Sequence, residues 1–169
     1  MEKLLIKIVL KNGVATPKYA TELSAGFDLT AYSVIPIPNQ PAHITHDGFS
    51  IPPQSRILVG TGLFIELPKG KVLDIRTRSG MALKEGVFVL NSPGTIDADY
   101  RGEIGVILIN LNKVDVTITP GERIAQMVIS KFEKATDEEK KQQDVMSNST
   151  TFFKDGMKKL MKNPLAVGS

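Results

Sequence analysis

The sequence predicts an all-β fold, a distorted jelly roll or β-sandwich of antiparallel strands with one short helix, followed by a separate polar arm. Three observations lead to this prediction. Short apolar runs recur at close intervals as far as Phe132, Pro and Gly residues interrupt them, and only the segment 78–84 favours a helical turn. Many short strands separated by such turn residues are typical of sandwiches and barrels.

Nine segments are predicted as strands because each is short, apolar or alternating, and bounded by turn residues. In chain order they are 4–10, 27–35, 42–51, 56–67, 71–76, 86–91, 104–111, 114–118 and 124–132. The turns between them carry strong signals, such as Pro52-Pro53 and Pro120-Gly121. We therefore expect a single β domain over residues 1–132.

The composition changes after Phe132. Residues 133–150 are almost wholly polar, and residues 152–162 place apolar side chains at helical spacing among lysines. Such spacing is more typical of a packing helix or strap than of a cofactor site. We predict a C-terminal arm over residues 133–169, possibly helical, whose role the sequence does not define.

The overall composition excludes several classes of protein. A chain of 169 residues with 41% hydrophobic and 23% charged residues is typical of a soluble globular domain. The absence of Cys excludes disulfides, thiolate nucleophiles and Cys-ligated zinc. The net charge of +3 comes from positive and negative residues that are interleaved along the chain, which argues against nucleic-acid binding. The sequence has no run of 18 apolar residues, so it predicts no membrane-spanning helix. We expect a cytoplasmic protein.

The most unusual segment is the polar block 91–104, which lies between the apolar runs 86–90 and 104–109. It holds Asp97, Asp99, Tyr100 and Arg101 within five positions. Both flanks resemble buried strands, so we expect a hairpin whose polar residues are held by a rigid scaffold. A tight turn would explain the glycines of this block, but it would not require Tyr and Arg beside two Asp.

Four segments together carry a family pattern. They are Ala-Gly-Phe-Asp-Leu-Thr-Ala at 25–31, Arg-Ser-Gly-Met-Ala-Leu-Lys at 78–84, the block 91–104, and Gly-Glu-Arg-Ile-Ala-Gln-Met at 121–127. In this order and spacing they strongly resemble the motifs of homotrimeric dUTP pyrophosphatases (dUTPases), over about three-quarters of the chain. The resemblance implies a jelly-roll fold and Mg²⁺-dependent hydrolysis of dUTP to dUMP and pyrophosphate, by attack of water on the α-phosphate.

The resemblance implies roles for the third motif. Asp97 matches the residue that orients and deprotonates the attacking water, and Tyr100 matches the ring that packs on the deoxyribose. Uracil recognition would use Asn91 and the main chain of Gly94, Thr95 and Ile96. From the residues alone, Asp97 could instead be a turn cap and Asn91 a turn former. Asp99 is expected to be structural.

The second and fourth motifs supply the groups expected to bind phosphate. Arg78 offers a planar fork of donors, and Ser79 and Gly80 offer a hydroxyl and closely spaced N–H groups. Gln126 matches a further phosphate contact. Asp28, in the first motif, matches a carboxylate that acts on Mg²⁺ through the water ligands of the metal. The alternatives are a surface ion pair for Arg78 and a backbone-bonded strand end for Asp28.

The sequence also departs from the family pattern. Thr77 stands where many members have Pro, and Arg123 is expected to support the fold through an ion pair. The Gly-rich fifth motif that closes over the site in most members is missing, because no Arg follows Arg123 and few glycines follow Phe132. We therefore expect weaker substrate binding or turnover. His43 and His46 fall outside every motif and are expected in an exposed loop.

Three functional hypotheses remain. The first is a dUTPase whose sites lie between the subunits of a homotrimer. The second is a nucleotide-responsive interaction or regulatory protein built on the same core, with weak activity and a rewritten arm. The third is a dCTP deaminase, which shares the fold but fits the Arg-Ser-Gly triplet and the Tyr100 segment less well.

Overall fold

A computed structural model describes residues 3–39 and 43–135. Within these ranges the chain forms thirteen strands and one helix. The strands are β1 (Lys7–Leu10), β2 (Gly26–Thr30), β3 (Ser33–Ile35), β4 (His43–Thr45), β5 (Gly48–Ile51), β6 (Arg56–Gly60), β7 (Leu63–Glu66), β8 (Lys71–Arg76), β9 (Val87–Val89), β10 (Gly94–Ile96), β11 (Gly105–Asn110), β12 (Val116–Ile118) and β13 (Arg123–Lys131), and the helix is α1 (Ser79–Glu85).

The strands assemble into four antiparallel sheets. Two have four strands, in the orders β10-β8-β13-β2 and β3-β6-β11-β9. A third sheet has the order β12-β5-β4, and β1 pairs with β7. All described pairings are antiparallel. The predicted all-β sandwich of antiparallel strands with one short helix is confirmed.

The core is mainly aliphatic, as the scarcity of aromatic residues predicts, and it also contains Phe27 and Phe49. Burial alternates along β11, where Val106 and Leu108 are buried and Ile107 between them is partly exposed. Alternation of this kind is the period of a strand with one face on the core. Leu108 and Val59, from neighbouring strands, are completely buried, and burial of each such side chain contributes about 1.5–3 kcal/mol.

The helix α1 follows β8 directly and confirms the helical turn predicted over 78–84. Arg78, at its N-cap, has an extended backbone, and Gly86 ends the helix in the left-handed region with a φ of 62°. Glycine adopts that conformation without steric cost, which explains why the helix stops there. Met81 packs into the core, whereas Leu83 is exposed.

Three segments predicted as single strands are each divided into two. The run 27–35 forms β2 and β3, which belong to different sheets, and 56–67 likewise forms β6 and β7. The second break lies at Gly62, whose φ of 68° turns the chain. The run 42–51 forms the hairpin β4–β5. His43 therefore lies in a strand rather than a loop, although it is exposed as expected.

The polar block 91–104 is not the simple hairpin that the sequence predicts. Its flanks do pair, because β9 and β11 are neighbours with Val89 opposite Leu108. Between them, however, β10 pairs with β8 of the other four-stranded sheet, with Gly94 opposite Ile75. The block thus leaves one sheet, adds an edge strand to the second and returns. This path places its polar residues next to both sheets.

Two further predictions concern a membrane span and the C-terminal arm. No helix in residues 3–39 and 43–135 is long and apolar enough to cross a membrane. Residues 136–169 lie outside the described residues, so the predicted arm, its helical character and the boundary after Phe132 stay predictions.

Candidate active site

A cavity of about 300 Å³ lies beside the block 91–104, and strands of both four-stranded sheets contribute to its walls. Every residue of the third motif that is predicted to bind substrate or activate water lines this cavity. These are Asn91, Gly94, Thr95, Ile96, Asp97 and Tyr100. Most of the remaining wall is aliphatic. A mainly apolar pocket with a few convergent polar groups is the common form of a small-molecule site.

Gly94 allows the amide of Asn91 to lie close to the main chain of β10. A Cβ atom at Gly94 would lie 3.2 Å from Asn91 Nδ2, closer than most side chains tolerate. Gly94 is buried and pairs with Ile75 across the sheet. The Asn91 amide and the backbone of β10 therefore lie side by side in the wall of the same cavity.

Asp97 and Tyr100 are fixed by a tight turn at the edge of the cavity. The Tyr100 N–H donates to the Asp97 carbonyl at 3.1 Å. The Tyr100 hydroxyl donates to the Glu103 carbonyl at 2.8 Å, and its ring lies against Gly102, where a Cβ atom would come within 2.5 Å of Oη. Arg101 donates to the Ala98 carbonyl at 2.7 Å, so the turn is internally bonded. Asp97 and Tyr100 remain exposed to solvent.

A second group of predicted residues centres on the carboxylate of Asp28. Oδ1 accepts a hydrogen bond from Arg78 Nε at 3.0 Å, and Oδ2 lies 3.3 Å from Arg123 Nη1. Arg78 Nη1 also donates to the Arg123 carbonyl at 3.2 Å. Arg123 thus forms the expected ion pair. The Asp28 carboxylate bonds to two guanidinium groups rather than to the backbone. The Arg78 and Arg123 side chains that carry these groups are partly exposed.

Thr77 joins three of the four motifs. Its carbonyl accepts a hydrogen bond from Gln126 Nε2 at 3.1 Å, and its N–H donates to Ser92 Oγ at 3.2 Å. Its hydroxyl accepts a hydrogen bond from the Val89 N–H at 3.1 Å. The sequence marked Thr77 only as a departure from Pro. Pro has neither an N–H nor a hydroxyl, so it could not form two of these three hydrogen bonds. The presence of Thr in place of Pro was therefore the feature of the sequence that indicated this role.

The cavity and the Arg78 surface are separate in the described part of the chain. Arg78, Gly80 and Arg123 line one shallow pocket, and Asp28 and Gln126 line an adjacent one. Neither pocket shares a lining residue with the cavity beside the block 91–104. Ser79 and Gly80 are exposed in the first turn of α1. The predicted residues therefore line different pockets in the described part of the chain.

The described residues contain no cluster of three or more His, Cys, Asp or Glu side chains suited to hold a metal ion. Asp28 stands as a single carboxylate on its surface. In the part of the chain that the structure describes, His46 Nδ1 lies 3.0 Å from Asp47 Oδ1, and both side chains are largely exposed. Neither His43 nor His46 lines the pockets of the two groups in the described ranges.

Comparison with known proteins identifies the family. A family model described as dUTPase matches residues 12–156. The chain belongs to the dUTPase family. The family match continues past Phe132 into the predicted arm, although the sequence there lacks the Gly-rich fifth motif.

Individual relatives agree with the family match. A deoxyuridine 5'-triphosphate nucleotidohydrolase of Cytophaga hutchinsonii is 53% identical over 130 residues, which cover 77% of this chain and 77% of that protein. A protein of the same name from Hydrogenobaculum sp. is 53% identical over 127 residues, covering 75% and 78%. The crystal structure of dUTPase from Streptococcus mutans has a TM-score of 0.62 and 27% identity, covering 76% of this chain and 97% of that one.

Proposed function

We propose that this dUTPase-family chain hydrolyses dUTP to dUMP and pyrophosphate by attack of water on the α-phosphate. One observation carries the proposal: Asn91, the strand β10, Asp97 and Tyr100 converge on one cavity of about 300 Å³. The names of relatives at 53% identity support the same activity. The residues present then explain how base, sugar, water and phosphates are handled.

The base would be recognised by the outer edge of β10. This strand ends its sheet, so among the described residues its backbone pairs with β8 on one side only. The N–H and C=O groups on the other side can pair with the polar edge of a pyrimidine, as a neighbouring strand would. Asn91 adds an amide. Polar groups that must be satisfied when buried reject a base that lacks the matching donor or acceptor.

The sugar would lie against Tyr100. The ring is held on one side by Gly102 and at its hydroxyl by the Glu103 carbonyl. A fixed ring leaves no room for a 2′-hydroxyl, which would select deoxyribose over ribose.

The attacking water would be oriented and deprotonated by Asp97. This carboxylate lies at the edge of the cavity, three residues before the sugar-binding ring. General-base assistance of this kind accelerates hydrolysis by about 10²–10⁴-fold.

The phosphates would bind to Arg78, Ser79, Gly80 and Gln126. The Arg78 guanidinium uses Nε for Asp28 and one Nη1 hydrogen bond for the Arg123 carbonyl, which leaves further N–H donors of its five. Gly80 has open space where a Cβ would stand, so the backbone can approach an anion closely. Preorganised donors of this kind stabilise charge that develops during phosphoryl transfer.

The chemistry of the Asp28 surface fits Mg²⁺ only through water. One carboxylate whose oxygens already face Arg78 and Arg123 cannot enclose a bare cation. Each oxygen retains a lone pair for a metal-bound water, and Mg²⁺ commonly takes its other ligands from substrate phosphates. When bound, the ion would neutralise charge on the triphosphate. Asp28 is therefore proposed to hold Mg²⁺ through its water ligands.

We also propose a homotrimer with sites between subunits. The different linings of the cavity and of the Arg78 pocket support this, because the two surfaces of neighbouring subunits would then complete one site. A cytoplasmic location stays a prediction.

Pyrophosphate release from dUTP, dCTP, dTTP and UTP in the presence of Mg²⁺ tests the proposed function. We expect release from dUTP alone. Release of ammonia from dCTP would identify a deaminase instead. Binding of dUTP without turnover would favour a nucleotide-responsive interaction protein and would overturn the proposal.

A further inference from the structure

Glu103 lies in the cavity wall, and the proposed mechanism uses its carbonyl but assigns no role to its side chain. Its side chain is only 15% exposed, and both carboxylate oxygens have partners. Oε2 lies 2.6 Å from Lys11 Nζ, and Oε1 accepts a hydrogen bond from the Gly62 N–H at 2.8 Å. The carboxylate is therefore held by partners 92 and 41 residues away in the chain.

The neighbouring backbone is fixed to the same turn. The Ile104 N–H donates to the Leu63 carbonyl at 2.8 Å, and the Ile104 carbonyl accepts a hydrogen bond from Thr61 Oγ1 at 2.7 Å. Thr61 is buried and Ile104 is completely buried. The segment 103–104 is thus attached to the 61–63 turn through both its side chain and its main chain.

This attachment reaches the ring of Tyr100. The Glu103 carbonyl is the acceptor for the Tyr100 hydroxyl, at 2.8 Å. Gly102 and Gly60 leave the necessary space, since a Cβ at Gly102 would lie 2.5 Å from Tyr100 Oη and one at Gly60 would lie 2.6 Å from Glu103 Oε1. Any rotation of the Glu103 peptide would move the acceptor and release the ring.

We propose that Glu103 is a positioning residue for sugar selection, with Lys11 as its support. By fixing the carbonyl that binds the Tyr100 hydroxyl, the partly buried carboxylate holds the ring where it excludes a 2′-hydroxyl. This inference rests on the proposed function, because it assumes that Tyr100 lies against the deoxyribose. A simple ion pair that stabilises the β1 region would affect unfolding but not the choice between dUTP and UTP.

The first test compares the kcat/KM ratio for dUTP over UTP in wild type, Glu103→Ala and Lys11→Met. We expect Glu103→Ala to lower this ratio about 5-fold, in line with the loss of a well-placed hydrogen bond, and Lys11→Met to lower it less. Lys7→Met is the matched control. Lys7 lies in β1 and forms a similar pair with Glu66 at 3.3 Å, but the two side chains are 78% and 47% exposed and neither residue lines the cavity.

A double-mutant cycle separates positioning from general destabilisation. Tyr100→Phe removes the hydroxyl and should lower the dUTP/UTP ratio by a similar factor. Adding Glu103→Ala to Tyr100→Phe should then cause no further fall, because both changes disrupt the same hydrogen bond. Glu103→Gln, which keeps an oxygen for the Gly62 N–H, should retain more of the ratio than Glu103→Ala.

The outcomes are distinct. If wild type does not hydrolyse dUTP, the proposed function and this inference both fail. If wild type hydrolyses dUTP but Glu103→Ala and Lys11→Met keep the wild-type ratio, only the inference fails. Additive losses in Tyr100→Phe/Glu103→Ala would also overturn it. Should Glu103→Ala not fold, Lys11→Met and Glu103→Gln supply the same comparison.

Discussion

Asp28 and Arg78 lie fifty residues apart in the chain, yet Asp28 Oδ1 accepts a hydrogen bond from Arg78 Nε at 3.0 Å. The sheet order β10-β8-β13-β2 explains the meeting, because Asp28 lies in β2 and Arg78 follows β8, with β13 between them. Arg123, at the start of β13, completes the group. An arginine held in this way loses less side-chain freedom when it binds a phosphate, so its orientation before binding favours affinity.

Replacing Asp28 tests whether this carboxylate serves both the arginines and the metal. Asp28→Asn keeps the shape but removes the charge that faces Arg78 and Arg123. We expect kcat/KM for dUTP to fall about 10-fold and the Mg²⁺ concentration for half-maximal rate to rise, in line with losses at outer-sphere metal partners. Titration of the rate with Mg²⁺ measures both. Asp74→Asn, which removes the Asp74–Arg76 pair of β8, should leave the Mg²⁺ midpoint unchanged.

The proposed base is tested by Asp97→Asn. We expect dUTP hydrolysis to fall at least about 100-fold, because an amide cannot accept the proton of the attacking water. Binding of a non-hydrolysable dUTP analogue, measured by calorimetry, should remain within a few-fold of wild type. Asp99→Asn, two positions away and also exposed, is the control and should keep near-normal turnover. A hydrolysis rate in Asp97→Asn equal to that of wild type would refute the assignment.

The sequence predicts the kind of elements in this fold better than their pairing. Alternation and turn residues identify 71–76 as a strand and 78–84 as a helical turn, since both patterns are local. The run 27–35 contains neither Pro nor Gly. Nothing in the local sequence therefore shows that the chain bends at Ala31 and enters another sheet. The bend depends on distant groups, because the Ala31 N–H donates to the Glu122 carbonyl and the Tyr32 N–H to the Gly60 carbonyl.

The local sequence likewise predicts some residues of the candidate site better than others. The motifs identify residues whose chemistry is recognisable, such as Asp97 and Arg78. They do not show the roles of Thr77 and of the Glu103 side chain, which depend on hydrogen bonds to residues far away in the chain. The sequence also cannot show that the block 91–104 adds β10 to the second sheet, because a three-residue strand has no period of its own. The positioning groups therefore emerge only from the folded chain.

Thr77 provides a test of contact between the motifs. Thr77→Val removes the hydroxyl and leaves the Val89 N–H without its acceptor, whereas Thr77→Ser keeps the hydroxyl. We expect Thr77→Val to lower the free energy of unfolding by about 1–3 kcal/mol and to raise KM for dUTP, since Val89 lies two residues before Asn91. Thr77→Ser is the control and should stay close to wild type in both measurements. Equal KM values for the two variants would exclude the role of the hydroxyl.

Core packing around β11 is tested separately from activity. Leu108 is completely buried between β6 and β9, so Leu108→Ala should lower the free energy of unfolding by about 2–5 kcal/mol. Leu83→Ala removes the same atoms from an 87% exposed position on α1 and should change stability by less than about 0.5 kcal/mol. Denaturant unfolding of both variants measures the difference. Similar losses in the two variants would contradict the described burial.

Mixed subunits test whether the cavity of one chain works with the Arg78 surface of another. Asp97→Asn and Arg78→Ala homo-oligomers should each be nearly inactive, because each lacks one half of every site. If sites form between subunits, random co-assembly of the two variants in equal amounts restores both halves in about one site in four, so the mixture should regain about a quarter of wild-type activity.

The alternative arrangement gives the opposite result. If Asp97 and Arg78 of the same chain formed one site, every site in the mixture would carry one defect, and activity would stay at the level of the single variants. Pyrophosphate release from dUTP after joint refolding, compared with each variant refolded alone, distinguishes the two. Recovery is expected here because the cavity and the Arg78 surface share no lining residue in the described chain.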